Sequence, residues 1–284
     1  MSAVSEISNI KIREIEEIAE MRAVEELQKE VWGVPDLDVV PYTHLIAAKE
    51  AGGVLIGAFD GETVVGFVYG FPSFELGQLA HHSHMLAVKP AYRNFDLGRR
   101  LKLAQREHVI AQGIDLMSWT FDPLQSLNAY FNFSKLGVIA DRYLVDFYGH
   151  DAASFLHQTG TDRLWVSWFL SSDDVKGRIR GEDVKFDDLV SLVQVGPDDS
   201  PRRNDLAASV AHDHASIEIP ADIDSLQQRN PETALRWRQE TRWAFTEAIK
   251  AGYFVAAFVR EKSGKYILKK GSFPAKAQRR KEEG

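Results

Sequence analysis

The sequence predicts an α/β protein, a mixed sheet with helices on its faces. Short runs of period-two apolar alternation interleave with segments whose apolar residues recur every three or four positions. An Asp60-Gly61 pair also divides two long apolar runs, the signature of a β-hairpin. A third observation places function: at 87–101, "AVKPAYRNFDLGRRL", a short polar loop with a glycine joins a strand-like run to an amphipathic helix.

The elements follow in order. "IKIREI" (10–15) alternates as a strand, and Met21, Val24, Leu27 and Val31 lie at helical spacing, so a helix spans about 18–32 and stops near Gly33 and Pro35. "GGVLIGAFDGETVVGFVYGFP" is the hairpin, and "SHMLAVKP" (83–90) a further strand closed by Pro90. Leu97, Leu101, Ala104 and His108 form one stripe of a helix running to about Gln112 and ending at Gly113. "IDLMSWTFDP" (114–123) reads as a buried strand, "SLNAYFNFSKLG" as a helix closed by Gly137, and "DRYLVDFYG" as another strand. Beyond Gly149, "TDRLWVSWFL" (161–170) alternates as a strand, with Trp165 and Trp168 assigned to packing. Residues 171–205 read as a connector around one strand, "LVSLVQV", followed by the strand-like "ASIEIP". Pro231 opens a strong amphipathic helix over 231–251 that presents Ala234, Trp237, Thr241, Ala244, Phe245 and Ala248 on one face, and "YFVAAFVRE" and "KYILKK" close as a hairpin. The expected division is a domain over 8–170, a C-terminal strand-helix-hairpin extension over 171–270 that packs on or completes the substrate side, and a basic tail over 271–284. The last sixteen residues hold six Lys or Arg against two Glu, a local +4 on a chain whose remainder is therefore −11, and they read as a solvated tail or a docking arm.

Composition narrows the function. With 284 residues, 44% hydrophobic and 26% charged, the chain is an ordinary globular one with room for a large core. A net charge of −7 argues against a dedicated nucleic-acid binder, which needs a basic surface. No apolar run approaches the ~20 residues of a membrane span. The acidic start "MSAVSEISNIKIREIEE" lacks the apolar core of a secretory signal, so a cytoplasmic location is expected. Without cysteine there is no thiolate nucleophile and no Cys-ligated zinc. No G-x-S-x-G elbow and no P-loop is present.

The loop at 87–101 has the makings of an anion cradle. The first-turn amides of a helix have no intrahelical partner, and the helix dipole places partial positive charge there. Arg93, Arg99 and Arg100 add charge nearby, while Asp96 carries the wrong sign and is expected to point away, bonding the loop backbone or capping the helix.

The element order over about 10–149, with this loop after the fourth strand, resembles the GNAT superfamily of acyl-CoA-dependent N-acyltransferases. The family's loop reads Arg or Gln, two residues, Gly, one residue, then Gly or Ala; here Arg93 leads, Asp96 takes the first glycine position and Gly98 the second. The resemblance implies that acetyl-CoA or another acyl-CoA binds as cosubstrate at Arg93, Asn94, Asp96, Leu97, Gly98 and Arg99, with the backbone of Leu86 and Val88 meeting the acyl-pantetheine arm. "SLNAYFNFSKLGV" resembles the later family helix that borders CoA, which puts Asn128 at the cofactor. The family's tyrosine, four positions before Gly137, is Phe133 here, and Val138 stands where Phe is usual. The acid that protonates the CoA thiolate is then another residue; Tyr130 and Tyr143 are candidates, with packing as the alternative for each. The fuller pattern, covering about 10–170, resembles a subgroup of long predicted acyltransferases, some linked to N-acylamino-acid metabolism, including succinyl transfer.

Attack of an amine on a thioester requires loss of the amine's proton, since an alkylamine with pKa about 10 is mostly cationic at neutral pH. A positioned base is worth roughly 10²–10⁴ in rate. In "HHSHMLAV", His82 lies where some family members carry a glutamate base, and strand alternation puts His82 and His84 on one face, His81 and Ser83 on the other. A polar strand mouth without catalysis, or a two-histidine start of a metal site, fits the same residues; no third ligand lies nearby in sequence, and no metal is expected. An amino-acid acceptor would need a cation for its carboxylate, and Arg142, Arg163, Arg236, Arg238 and Arg242 are candidates, the last three read first as solvated helix charges. Acceptor choice is expected to come from "WGVPDLDVVPY", "FPSFELGQLAHH" and the C-terminal third. The reading is an N-acyltransferase for a small-molecule amine such as an amino acid, with a homodimer left open; the alternatives are a CoA-binding sensor or an interaction module without turnover.

Overall fold

The computed structural model describes residues 10–149, 159–182, 186 and 189–273. These fall into two compact units: the described residues up to Trp119, and those from Thr120 onward.

In the first unit, β1 (Lys11–Glu14) pairs antiparallel with β2 (Val54–Asp60), after α1 (Ile18–Trp32) and α2 (Tyr42–Glu50). Helix α1 buries Met21, Val24 and Leu27 and ends at Gly33 in the left-handed region, as its spacing predicts. No element is predicted for α2, because only Leu45 of its nine residues is buried and it carries no apolar stripe. Strand β2 forms the expected hairpin with β3 (Thr63–Glu75), which turns again into β4 (Gln78–Val88). Strand β4 begins five residues before the predicted start at Ser83, so "FPSFELGQLAHH" is paired hairpin rather than free loop. Met21, Val24, Leu27, Leu55, Phe67 and Tyr69 fill the core between sheet and helices, a non-directional gain of about 25 cal/mol per Å² buried.

The chain then makes a 3-10 turn (Pro90–Phe95) and enters α3 (Leu97–Ala111), which closes at Gly113. Strand β5 (Leu116–Phe121) carries the chain into the second unit. Mixed pairing results: β1 to β4 run antiparallel to one another, and β4 runs parallel to β5.

In the second unit the expected helix at 126–137 is a short α4 (Ser126–Ala129) followed by a π-helical segment, Tyr130–Leu136, closed by Gly137 at φ 77°. Strand β6 (Ile139–Leu144) ends before the predicted 149 and pairs with β7 (Arg163–Phe169). The connector at 171–205 holds more order than expected: α5 (Asp173–Ile179), capped by Ser172, then β8 (Val190–Val195) and β9 (Pro201–Arg203). After α6 (Leu206–Ser209) come β10 (His214–Ile219) and α7 (Ile223–Arg229). Helix α8 (Pro231–Lys250) is capped by the Asn230 side chain, which accepts from the Thr233 amide at 3.0 Å. All six residues predicted for its inner face are buried. The hairpin of β11 (Tyr253–Arg260) and β12 (Gly264–Lys270) completes the sheet, ordered β7-β6-β11-β12-β10-β8-β9 within this unit. Of the basic tail, residues 274–284 lie outside the described residues.

Candidate active site

The site is built where β4 leaves β5. These parallel strands pair at His81↔Met117 and His82↔Ser118. Beyond that rung β4 continues to Val88 against β3 alone. The Lys89 amide donates to Val65 O at 2.9 Å, on the β3 side. Peptide groups alternate in direction along a strand, so Ala87 shares that side while Leu86 and Val88 turn theirs toward the opening beside β4. The two backbone positions expected to meet an acyl-pantetheine arm therefore face it.

A β-bulge sets the side chains. Tyr69 opposes Met85 and Gly70 opposes Ser83, leaving His84 as the extra residue. The predicted alternation holds: His82 and His84 share a face, their rings 6.3 Å apart and both packed on Phe71. His82 Nδ1 lies 3.2 Å from Ser118 Oγ, and Ser118 in turn donates to Glu75 at the end of β3. Next along this face, the Tyr69 hydroxyl meets His44 Nε2 at 3.0 Å, and burial raises the phenol to about 12. His84 keeps one edge open to solvent, yet desolvation by the rings around it, and then the nearby His44, hold its pKa below the ordinary value. Among the described residues no group of three or more His, Cys, Asp or Glu could hold a metal, so the histidine pair gains no third ligand.

The opposite face holds a buried polar layer against α3. Lys102 Nζ donates to Ser83 Oγ at 2.6 Å, Ser83 donates to Gln105 Oε1 at 2.8 Å, and Gln105 Nε2 meets His81 Nε2 at 3.2 Å. Burial, then the Lys102 charge, depresses His81 to about 3, and burial drives Lys102 well below the usual lysine range. Gly70 makes the layer fit, because a Cβ there would collide with His81 Nε2 and the His82 carbonyl.

At the start of α3, Asp96 adopts the left-handed conformation (φ 55°), as its tolerance for positive φ predicts. It does not cap the helix: its side chain makes no cap hydrogen bond and pairs instead with Arg99 at 3.5 Å. Leu97 and Gly98 open the helix, and a Cβ on Gly98 would meet only Leu86 Cδ2, at 3.8 Å. That open space beside first-turn amides fits a phosphate group. The cations divide: Arg93 stays exposed with Nε 3.4 Å from Val88 O, whereas Arg100 turns away to the Ile10 carbonyl at 2.7 Å. Asn94, beside Arg93 in the 3-10 turn, is exposed.

Residues 16–137 match the family model described as "Acetyltransferase (GNAT) family". Among solved structures similar to the chain, an aminoglycoside 6'-acetyltransferase type Ii is 18% identical, over 57% of this chain and 98% of that one, with a TM-score of 0.46. The ribosomal-protein-S18-alanine N-acetyltransferase from Escherichia coli is 13% identical, over 63% and 100%, with a TM-score of 0.46. A GNAT acetyltransferase from Elizabethkingia anophelis with acetyl-CoA bound is 14% identical, over 57% and 99%, with a TM-score of 0.43. No curated protein sequence matches the chain.

The remaining predicted positions lie in the second unit. Asn128 is exposed on α4, and Tyr130 is half-buried where the π-helical segment begins, its ring 5.2 Å from Lys135 Nζ. Phe133 is fully buried and packs against Phe121 and Tyr266, so no acid occupies the family's tyrosine position. Tyr143 is withdrawn as a candidate acid: its hydroxyl donates to Asp162 at 2.7 Å, its ring stacks on Phe245, and burial pushes its pKa well up. Arg238 and Arg242 are not solvated helix charges. Arg238 is buried on Asp122 at 2.6 Å, and Arg242 spans Asp162 (2.7 Å) and Asp146 (3.0 Å). Arg142 lies over Trp165, 4.2 Å from the ring centroid, Arg163 over Tyr148 at 5.0 Å, and Arg236 is exposed on α8. Within residues 16–137, sequence reasoning missed Glu75 and Ser118. They lie 43 residues apart in the chain, and no local pattern joins them.

Proposed function

We propose that the chain transfers an acyl group, acetyl or succinyl, from acyl-CoA to a primary amine of a small molecule such as an amino acid. The observation that carries this reading is the continuity of the opening beside β4. The amides of Leu86 and Val88 face it, the uncrowded helix start at Leu97–Gly98 follows them in the chain, and His82 stands at the last paired rung. An extended amide-bearing arm fits the strand edge, and a pyrophosphate fits the helix start with Arg93, Asn94, Asp96 and Arg99 around it.

On this reading His82 accepts the proton that the amine loses as its nitrogen bonds to the thioester carbonyl carbon. The Leu86 and Val88 amides stabilise the charge that develops on the carbonyl oxygen. When the C–S bond breaks, the thiolate recovers a proton. The chemistry is direct transfer, in keeping with a chain that has no cysteine to acylate.

Calorimetric titration with CoA, acetyl-CoA and succinyl-CoA tests the reading. Micromolar binding to the native protein, abolished in Gly98→Trp, supports the cradle, and a preference among the three names the acyl group. Absence of binding to all three refutes it. Binding with no turnover over a panel of amino acids and other amines would favour a CoA sensor.

A further inference from the structure

We infer that Ser118 and Glu75 are positioning residues for His82, fixing the tautomer in which Nε2 is the proton acceptor. The inference rests on the proposed role of His82 as base and extends it to two residues that share no motif with it.

The argument is a count of protons. Ser118 Oγ has a single hydrogen and sits between two groups, the Glu75 carboxylate and His82 Nδ1. An ionised carboxylate only accepts hydrogen bonds, so the hydroxyl hydrogen is committed to Glu75. The hydroxyl can then meet His82 only through its lone pair, and Nδ1 must carry the hydrogen that it accepts. A neutral imidazole holds one N–H. With that hydrogen on Nδ1, the ring's basic lone pair is on Nε2. Protonation at Nε2 during amine attack then leaves an imidazolium whose Nδ1–H points at an oxygen already polarised by a carboxylate. This is the orienting role a carboxylate plays beside a catalytic histidine, with a hydroxyl inserted.

The surroundings make the arrangement rigid. Ser118 is fully buried on a strand paired with β4 at this rung, so its hydroxyl could swing away only by giving up both hydrogen bonds with no water to replace them. Phe71 lies 5.6 Å from the His82 ring centroid and limits its rotation. Near His82 stand His81 and His84 on its own strand and, through Ser118, Glu75 of β3; Lys102 of α3 lies beside His81 on the opposite face, and Tyr69 of β3 with His44 of α2 beside His84. The Glu75 carboxylate, reached through the Ser118 hydroxyl, supplies a negative charge that stabilises an imidazolium at His82.

The test has two arms. Nitrogen-resolved NMR of the histidine rings in the ligand-free protein reads the tautomer without any need for turnover. Protonated Nδ1 at His82 is expected in the native protein, and a mixture of tautomers in Ser118→Ala and in Glu75→Gln, whose amide can donate to the hydroxyl as well as accept from it. The pH dependence of kcat/KM is the second arm. Ser118→Ala is expected to lower kcat about tenfold or more, leave KM for acyl-CoA within about twofold, and move the acid limb to lower pH, since the imidazolium loses its acceptor. Glu75→Gln, which keeps the shape and removes the charge, is expected to move the limb the same way with a smaller loss of rate. An Nε2–H tautomer in the native protein overturns the inference. So does an acid limb unmoved in both variants while His82→Gln is inactive. Full activity in His82→Gln with the Nδ1–H tautomer observed instead defeats the base reading, so the two failures are told apart.

Discussion

Lys102 Nζ donates to Ser83 Oγ across 2.6 Å inside the first unit, with the Trp119 ring 3.6 Å from the ammonium and no carboxylate among these partners. A lysine so placed gives up hydration for one hydroxyl, an amide oxygen at 3.5 Å and a ring face. Burial accordingly drives its pKa well below the ordinary value. Between that lowered value and the ordinary one near 10.4, the unfolded chain binds a proton that the folded chain does not, so folding strengthens as pH rises through the window. Lys102→Met removes the term. It is expected to stabilise the protein at pH 7 by on the order of 1 kcal/mol, with the gain shrinking by pH 9.5. Urea midpoints at the two pH values check this, and a loss of stability at pH 7 would contradict it.

His81, in the same layer, has the same sign in a different window. Burial and the Lys102 charge hold it at about 3, against an unfolded value near 6.5. From about pH 6.5 down to 3 the unfolded chain takes up a proton that the folded chain excludes, so stability falls as pH falls. At about 1.4 kcal/mol per pH unit the cost reaches about 2 kcal/mol by pH 5. His81→Gln lacks this titration, and its loss of stability between pH 7 and pH 5 is expected to be smaller than the native protein's by about that amount. Equal losses in denaturant titrations of the two proteins would show that the folded protein takes up a proton at His81 as readily as the unfolded chain does.

In the second unit, Arg238 and Asp122 form a pair with side chains 2% and 10% exposed. The geometry answers the question of what the arginine is for: it compensates a buried carboxylate and also donates to the Thr159 carbonyl and hydroxyl. Burial works against the guanidinium charge, but Asp122 outweighs it and raises the pKa above the ordinary value. Asp122→Asn leaves that charge uncompensated and is expected to cost about 3–5 kcal/mol. A melting temperature within a degree or two of the native protein's would remove the pair from the stabilising interactions.

Where burial is one-sided, the sequence was readable. Helix α8 shows all six of its inner residues by spacing, and α1, α3 and the β2–β3 hairpin declare themselves the same way. Helix α2, with one buried residue, and α5, with only Val175 and Gly177 buried, carry no stripe and were invisible. The site divides along the same line. The proposed cradle at 93–98 is contiguous, so glycine, charge and helix start appear together in the sequence. The His82–Ser118–Glu75 chain depends on strand pairing that joins residues 36 and 43 positions apart, and periodicity does not report pairing. The interior arginines of α8 were misjudged because charge alone does not reveal that Asp122 and Asp162 would be buried opposite them.

Gly98 separates the stability of α3 from the proposed binding. It occupies the first turn of α3 with helical backbone, so nothing in its φ requires glycine. An added Cβ would sit 3.8 Å from Leu86 Cδ2, an ordinary contact. In a helix, alanine is favoured over glycine by up to about 1 kcal/mol, and by less at the end of one. Gly98→Ala is therefore expected to leave the fold intact and raise the melting temperature slightly. The loop pattern that this chain resembles takes Gly or Ala at this position, so the methyl group is expected to leave the calorimetric affinity for CoA close to the native value. Gly98→Trp, whose indole would fill the space in which the proposed reading seats a pyrophosphate, is expected to weaken CoA binding by tenfold or more. Unchanged affinity in Gly98→Trp would mean that Gly98 is not where the phosphates approach, and the cradle would have to be sought elsewhere along the opening beside β4.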